Sequence, residues 1–244
     1  VAHTAMMAGS LSDAIKPGTL GMMVTGMGLG MALAVRSAIA LLAVAAIAMI
    51  GPGPRLWWVC AALGLVVSAS FAWTGHGAAT EGAGHGLHLA SDILHALSAS
   101  LWVGALAAFA ALVMWRPKES SARDLALARA LAGFAGVGTF AIAVLLLTGL
   151  VNSAFLVGWS GLWTLTETAY GRWFILKIVL FGLMLSLAAV NRFRLTPTFA
   201  AAGVWSSSVL GHLRQSLLVE FALSLAVLTI VAAMGTLAPP ASLL

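Results

Sequence analysis

Residues 37–74, SAIALLAVAAIAMIGPGPRLWWVCAALGLVVSASFAWT, hold the end of one apolar run, 22–50, and the whole of a second, 56–74, on either side of the breaker GPGPR at 51–55. A run of ~20 apolar residues crosses a bilayer as a helix. Lipid offers the backbone no hydrogen-bond partner, so only helices or a closed barrel span it, and runs without strict alternation are helical. Two prolines in the breaker stop the first helix before the second begins.

The same pattern extends over the chain. Of 244 residues, 61% are hydrophobic and 8% charged, against about 25% charged in a soluble domain. Six candidate spans follow, at 22–50, 56–74, 87–115, 130–151, 171–191 and 212–237, separated by GPGPR, by RPKESSARD at 116–124 and by NRFRLTP at 191–197. The expected fold is an all-α polytopic transmembrane helical bundle in contact with the lipid bilayer. The runs 22–50 and 87–115 exceed what ~30 Å of hydrocarbon needs, so they protrude, tilt or break near Gly30 and Gly86. The 26 glycines suit close helix packing rather than loops.

A net charge of +5 does not imply nucleic acid here, because the basic residues are spread between spans and report membrane orientation. Arg55, Arg116, Lys118, Arg123, Arg129, Arg192, Arg194 and Arg214 fall on one side, and the opposite loops hold only Lys16. The positive-inside rule therefore puts the first set in the cytoplasm and the C-terminus outside. The lone Cys60, within an apolar run, excludes an intrachain disulfide framework. Trp57, Trp58, Trp159 and Trp163 read as interfacial belt residues. No soluble-enzyme signature is visible, and GMGLG at 26–30 lacks the strand a dinucleotide fold requires.

That orientation sorts the histidines: His3, His76, His85, His88 and His95 lie outside and His212 inside. At ~100° per residue, His85, His88, Asp92 and His95 fall on one helix face, which belongs against the bundle interior or a wet cavity rather than lipid. Imidazoles with a carboxylate suit copper or zinc, and the carboxylate can instead orient a ligating histidine. His76 is a possible loop donor. Met6, Met7, Met22, Met23, Met27 and Met31 cluster toward the same side, and thioethers favour Cu(I), with Met6, Met7 and Met27 as possible additional ligands. A hydrogen-bonded polar network and ordinary methionine packing are the alternatives. Arg36, Glu167, Arg172, Lys177 and Asn152, with Glu220, are polar groups in or beside the spans; Arg36 and Lys177 either snorkel or pair with Asp92 or Glu167.

TGMGLGMALAVR at 25–36 aligns without a gap with TETAYGRWFILK at 166–177, bringing Thr25 over Thr166, Gly30 over Gly171 and Arg36 over Lys177. This suggests a parallel internal repeat, about 1–74 and about 87–237, within a single membrane-embedded domain, 1–244. By symmetry two further spans would precede Val1, giving about eight, so the chain reads as processed or truncated at its start.

TGHG at 74–77, HLASDILHALSASLWVGAL at 88–106, LTGLVNS at 147–153 and the stretch from TETAYGRWFILK to NRFRLTP resemble the copper resistance protein D family. The resemblance implies a bacterial inner-membrane protein, not an enzyme, that moves or delivers copper, as Cu(I) or Cu(II), between periplasm and cytoplasm, with a periplasmic copper-binding protein as partner. Two other readings stand beside it. One is a b-type haem electron-transfer protein using His76 with His88 or His95; the other is a non-transporting scaffold subunit of a larger membrane complex.

Overall fold

The computed structural model describes residues 12, 16–26, 28–75, 80, 82–114, 121–195 and 207–242. Among them the regular elements are helical: α1 (Pro17–Gly26), α2 (Gly28–Met49), α3 (Pro54–Ser70), α4 (His85–Met114), α5 (Ser121–Leu156), α6 (Ala169–Val190) and α7 (Ser207–Met234). Six helices in this set are long and apolar enough to cross a membrane. Their outward residues are large and apolar, including Leu41, Leu42, Phe140, Leu147 and Leu150, as lipid requires.

The helix boundaries follow local chemistry. Pro54 occupies the first turn of α3, where its missing N–H costs nothing. Thr168 caps α6, its hydroxyl accepting from the Gly171 amide at 3.0 Å. A π-helical turn, Asn191–Leu195, continues α6 into the basic segment.

Two expectations about boundaries are revised, while the first long run divides near Gly30 as expected, with α1 ending at Gly26 and α2 starting at Gly28. The second does not break at Gly86, because α4 runs unbroken for 30 residues from His85. One glycine costs a helix only ~1 kcal/mol, which continuous backbone bonding outweighs. The polar stretch 116–124 is partly helical, since α5 begins at Ser121 and extends to Leu156; Ala, Leu and Arg are strong helix formers.

The chain divides into two compact units, Val1–Leu97 and Ser98–Leu244, with the division inside α4. In the first, α2 packs against α1, α3 and the 3₁₀ turn Phe71–Thr74. In the second, α6 packs on α7, and three apolar clusters fill the interior. Phe109, Val113, Leu127, Leu213 and Leu217 form one. Trp102, Leu106, Leu145 and Met184 form another, with Trp102 edge-on to Phe181 at 6.1 Å. Val157, Tyr170, Ile230 and Met234 form the third.

The helices that begin within the two aligned motifs, α2 and α6, are both 22 residues long and begin and end at aligned positions, Gly28 with Ala169 and Met49 with Val190. Gly171 shows why a small residue stands at its place in the motif. A Cβ there would collide with the Leu165 carbonyl group.

Candidate functional site

The first unit presents its polar groups at the start of α4. Gly82, in the left-handed region at φ 85°, turns the chain into that helix, and the His85 amide donates back to the Gly82 carbonyl at 3.2 Å. Thr80, just before the turn, contacts two imidazoles. Its carbonyl accepts from His85 Nδ1 at 2.8 Å, and its hydroxyl shares a 2.7 Å hydrogen bond with His88 Nδ1.

These contacts have a chemical consequence. A carbonyl oxygen can only accept, so His85 carries a proton on Nδ1, and in its neutral form Nε2 is the basic nitrogen. His88 is fully buried at 0% exposure, whereas His85, Asp92 and His95 are half-buried. Burial of an imidazole in an apolar helix is costly without hydrogen bonds, and Thr80 supplies one. The Asp92 carboxylate lies close to the chain at Gly75, with Oδ2 3.6 Å from where a Cβ would stand.

Arg36, on α2, is the second feature of this unit. Its Nε donates to Ser70 Oγ at 2.8 Å, and its Nη2 donates to the Ser70 carbonyl at 2.7 Å and to Thr74 Oγ1 at 2.9 Å. The guanidinium also sits over the Phe71 ring, 4.2 Å from its centroid. Both hydroxyls spend their own protons on the backbone, Ser70 on Val67 and Thr74 on Phe71, leaving lone pairs for the cation. Arg36 is thus tied to the end of α3 and the 3₁₀ turn.

The remaining sequence candidates are scattered. His76, Met6, Met7 and Met27 lie outside the described residues. Met22 and Met31 are exposed. In the second unit Glu167 and Arg172 are exposed, and Lys177 and Asn152 half-buried. Among the described residues, no three His, Cys, Asp or Glu side chains converge as a metal-holding group.

Besides the Arg36 contacts with Ser70 and Thr74, sequence reasoning missed two arrangements. Thr80 is an inconspicuous member of GAATEGAGHG, marked only by its closeness to two histidines. In the second unit Asn191 Nδ2 donates to Glu220 Oε1, and both residues are buried. Glu220 was recognisable as an acid within an apolar span, but its partner was not.

Six apolar helices with a buried histidine and a hydrogen-bonded arginine define a polytopic helical membrane protein with polar groups held inside its span region. The chain belongs to the copper resistance protein D family: residues 128–234 match the model for copper resistance protein D, and residues 1–87 match that for the copper resistance protein D-like N-terminal domain. It is 40% identical over 182 residues to copper resistance protein D of Pseudomonas syringae pv. tomato, covering 72% of this chain and 57% of that protein. It is 34% identical over 178 residues to copper transport protein CutJ of Bacillus subtilis (strain 168), with coverage of 72% and 29%. To inner membrane protein YebZ of Escherichia coli (strain K12) it is 27% identical over 194 residues, with coverage of 76% and 60%. The chain therefore spans less than two thirds of the length of each of these relatives. No solved structure matches it.

Proposed function

We propose that this chain binds copper as its substrate at the His85, His88, Asp92 and His95 face of α4 and moves or delivers it between periplasm and cytoplasm. The observation that carries this reading is the double contact of Thr80 with His85 and His88. The carbonyl contact leaves His85 Nε2 for ligation, and His88 Nε2 is likewise the ligating nitrogen in the tautomer whose Nδ1–H donates to the Thr80 hydroxyl, the arrangement by which outer groups prepare metal-binding histidines. Imidazole suits copper in either oxidation state. Asp92 balances the charge of the ion or orients a histidine. His76 adds a further nitrogen, and Met6, Met7 and Met27 add thioethers for Cu(I).

The names of two relatives, one for copper resistance and one for copper transport, support the choice of metal and a non-enzymatic role. In this reading the protein sits in the bacterial inner membrane, and the positive-inside rule supports an orientation with the C-terminus and the α4 histidines on the periplasmic side, where a periplasmic copper-binding protein would deliver the ion. The whole chain acts as one membrane domain built from a parallel repeat.

Reconstitution tests the transport step. Vesicles carrying the chain should take up copper faster than empty vesicles, with the His88→Ala protein reduced to the empty-vesicle rate. Equal uptake with and without the chain would remove movement from the proposal and leave delivery.

A further inference from the structure

We infer that Glu220 and Asn191 form a binding site for a hard cation of unit charge, a proton or a sodium ion, inside the second unit. Glu220 is only 3% exposed and lies within an apolar span, Gly211–Met234, about nine residues or ~14 Å from its start. Leu213 and Leu217 of the same helix are buried in an apolar cluster. A carboxylate in such surroundings is costly unless a positive charge accompanies it.

The polypeptide supplies a neutral companion: Asn191 Nδ2 donates to Glu220 Oε1. The cations nearby are directed elsewhere or lie near the helix ends. Arg192 donates to the Ala135 carbonyl and to Thr139 Oγ1 on α5. Arg194 belongs to the exposed basic turn, Arg129 on α5 is exposed, and Lys177 stands three to four turns before Asn191 on α6. On α7 itself, His212 and Arg214 are exposed toward its N-terminal end. The part of α4 in this unit, 98–114, carries no charged residue.

Two further features point to a ligand. Asn191 opens the π-helical turn Asn191–Leu195, a backbone irregularity that recurs at functional sites. On α7, polar residues follow one another at intervals of four: His212, exposed; Ser216; Glu220; and Ser224, 1% exposed. The Ser216 hydroxyl is buried with no hydrogen-bond partner among the described residues. Each step is ~6 Å along the axis, so the row leads from an exposed imidazole to the buried carboxyl. Carboxylate and hydroxyl oxygens are hard donors that do not select Cu(I). This site is therefore distinct in chemistry from the α4 face. Proton binding forms one O–H bond on a Glu220 oxygen, and release restores the carboxylate.

Infrared difference spectroscopy of the full chain in copper-free lipid vesicles tests the inference apart from any copper chemistry. A protonated-carboxyl band should grow as the pH is lowered, be missing in Glu220→Gln, and move in frequency in Glu220→Asp and Asn191→Leu. If sodium chloride, compared with choline chloride at the same pH, diminishes that band, sodium is the ligand; if not, the proton is. Should no component that responds to pH or sodium depend on residue 220 in either variant, the inference is overturned, whatever the copper measurements show.

Discussion

Arg36 grips Ser70 twice, through its hydroxyl at 2.8 Å and its carbonyl at 2.7 Å, across 34 residues of sequence. A charged group in an apolar helix is thereby satisfied by the end of the next helix, and the 3₁₀ turn leading to Gly75 and Asp92 is fixed as a result. Hydrogen bonds to a charged group contribute ~1.5–3 kcal/mol each, and the loss is not additive within one network. Arg36→Met should therefore lower the thermal midpoint in detergent measurably. Arg36→Lys should recover only part of it, because an ammonium cannot reproduce the planar fork.

Thr80 separates orientation from ligation. Thr80→Val removes the hydroxyl that bonds His88 while keeping the carbonyl that accepts from His85, and Thr80→Ser keeps both. Loss of a group that orients a metal ligand typically weakens affinity ~10–100-fold. A Cu(I) competition titration should show that loss in the valine protein and near-complete recovery in the serine protein.

At the start of α6, two neighbouring positions should differ in cost. Thr168→Ala removes a helix cap and should destabilise by ~1 kcal/mol. Gly171→Ala must push the Leu165 carbonyl group aside, and backbone yields less readily than a side chain. The alanine at 171 should therefore cost more than the alanine at 168, measured as the fraction of monodisperse protein after heating.

Orientation is open to a direct check in a Cys60→Ser background. A cysteine replacing Trp163 should react with an impermeant maleimide added to the periplasmic side, and one replacing His212 only after the cytoplasmic side is opened. The reverse pattern would contradict the positive-inside assignment.

Much of the fold was legible because lipid imposes a simple rule, and apolar runs such as 22–50 and 56–74 obey it regardless of tertiary contacts. Helix ends were less so: Gly86 reads as a breaker yet lies within α4, and Arg123 and Arg129 read as loop residues yet lie within α5. In the site, helical periodicity grouped His88, Asp92 and His95 on one face, because it needs only the spacing along α4. The contacts of Arg36 with Ser70 and of Asn191 with Glu220 were hidden, since each joins residues about 30 positions apart through the packing of separate helices. Thr80 was hidden for a different reason: a loop threonine makes side-chain and backbone contacts that composition does not distinguish.

Copper affinity at the α4 face bears most directly on the function. Cu(I) competition titrations on the purified chain should give a tight site that His88→Ala abolishes and that Asp92→Ala and His95→Ala each weaken by ~10-fold or more. Unchanged affinity in all three proteins would contradict the site.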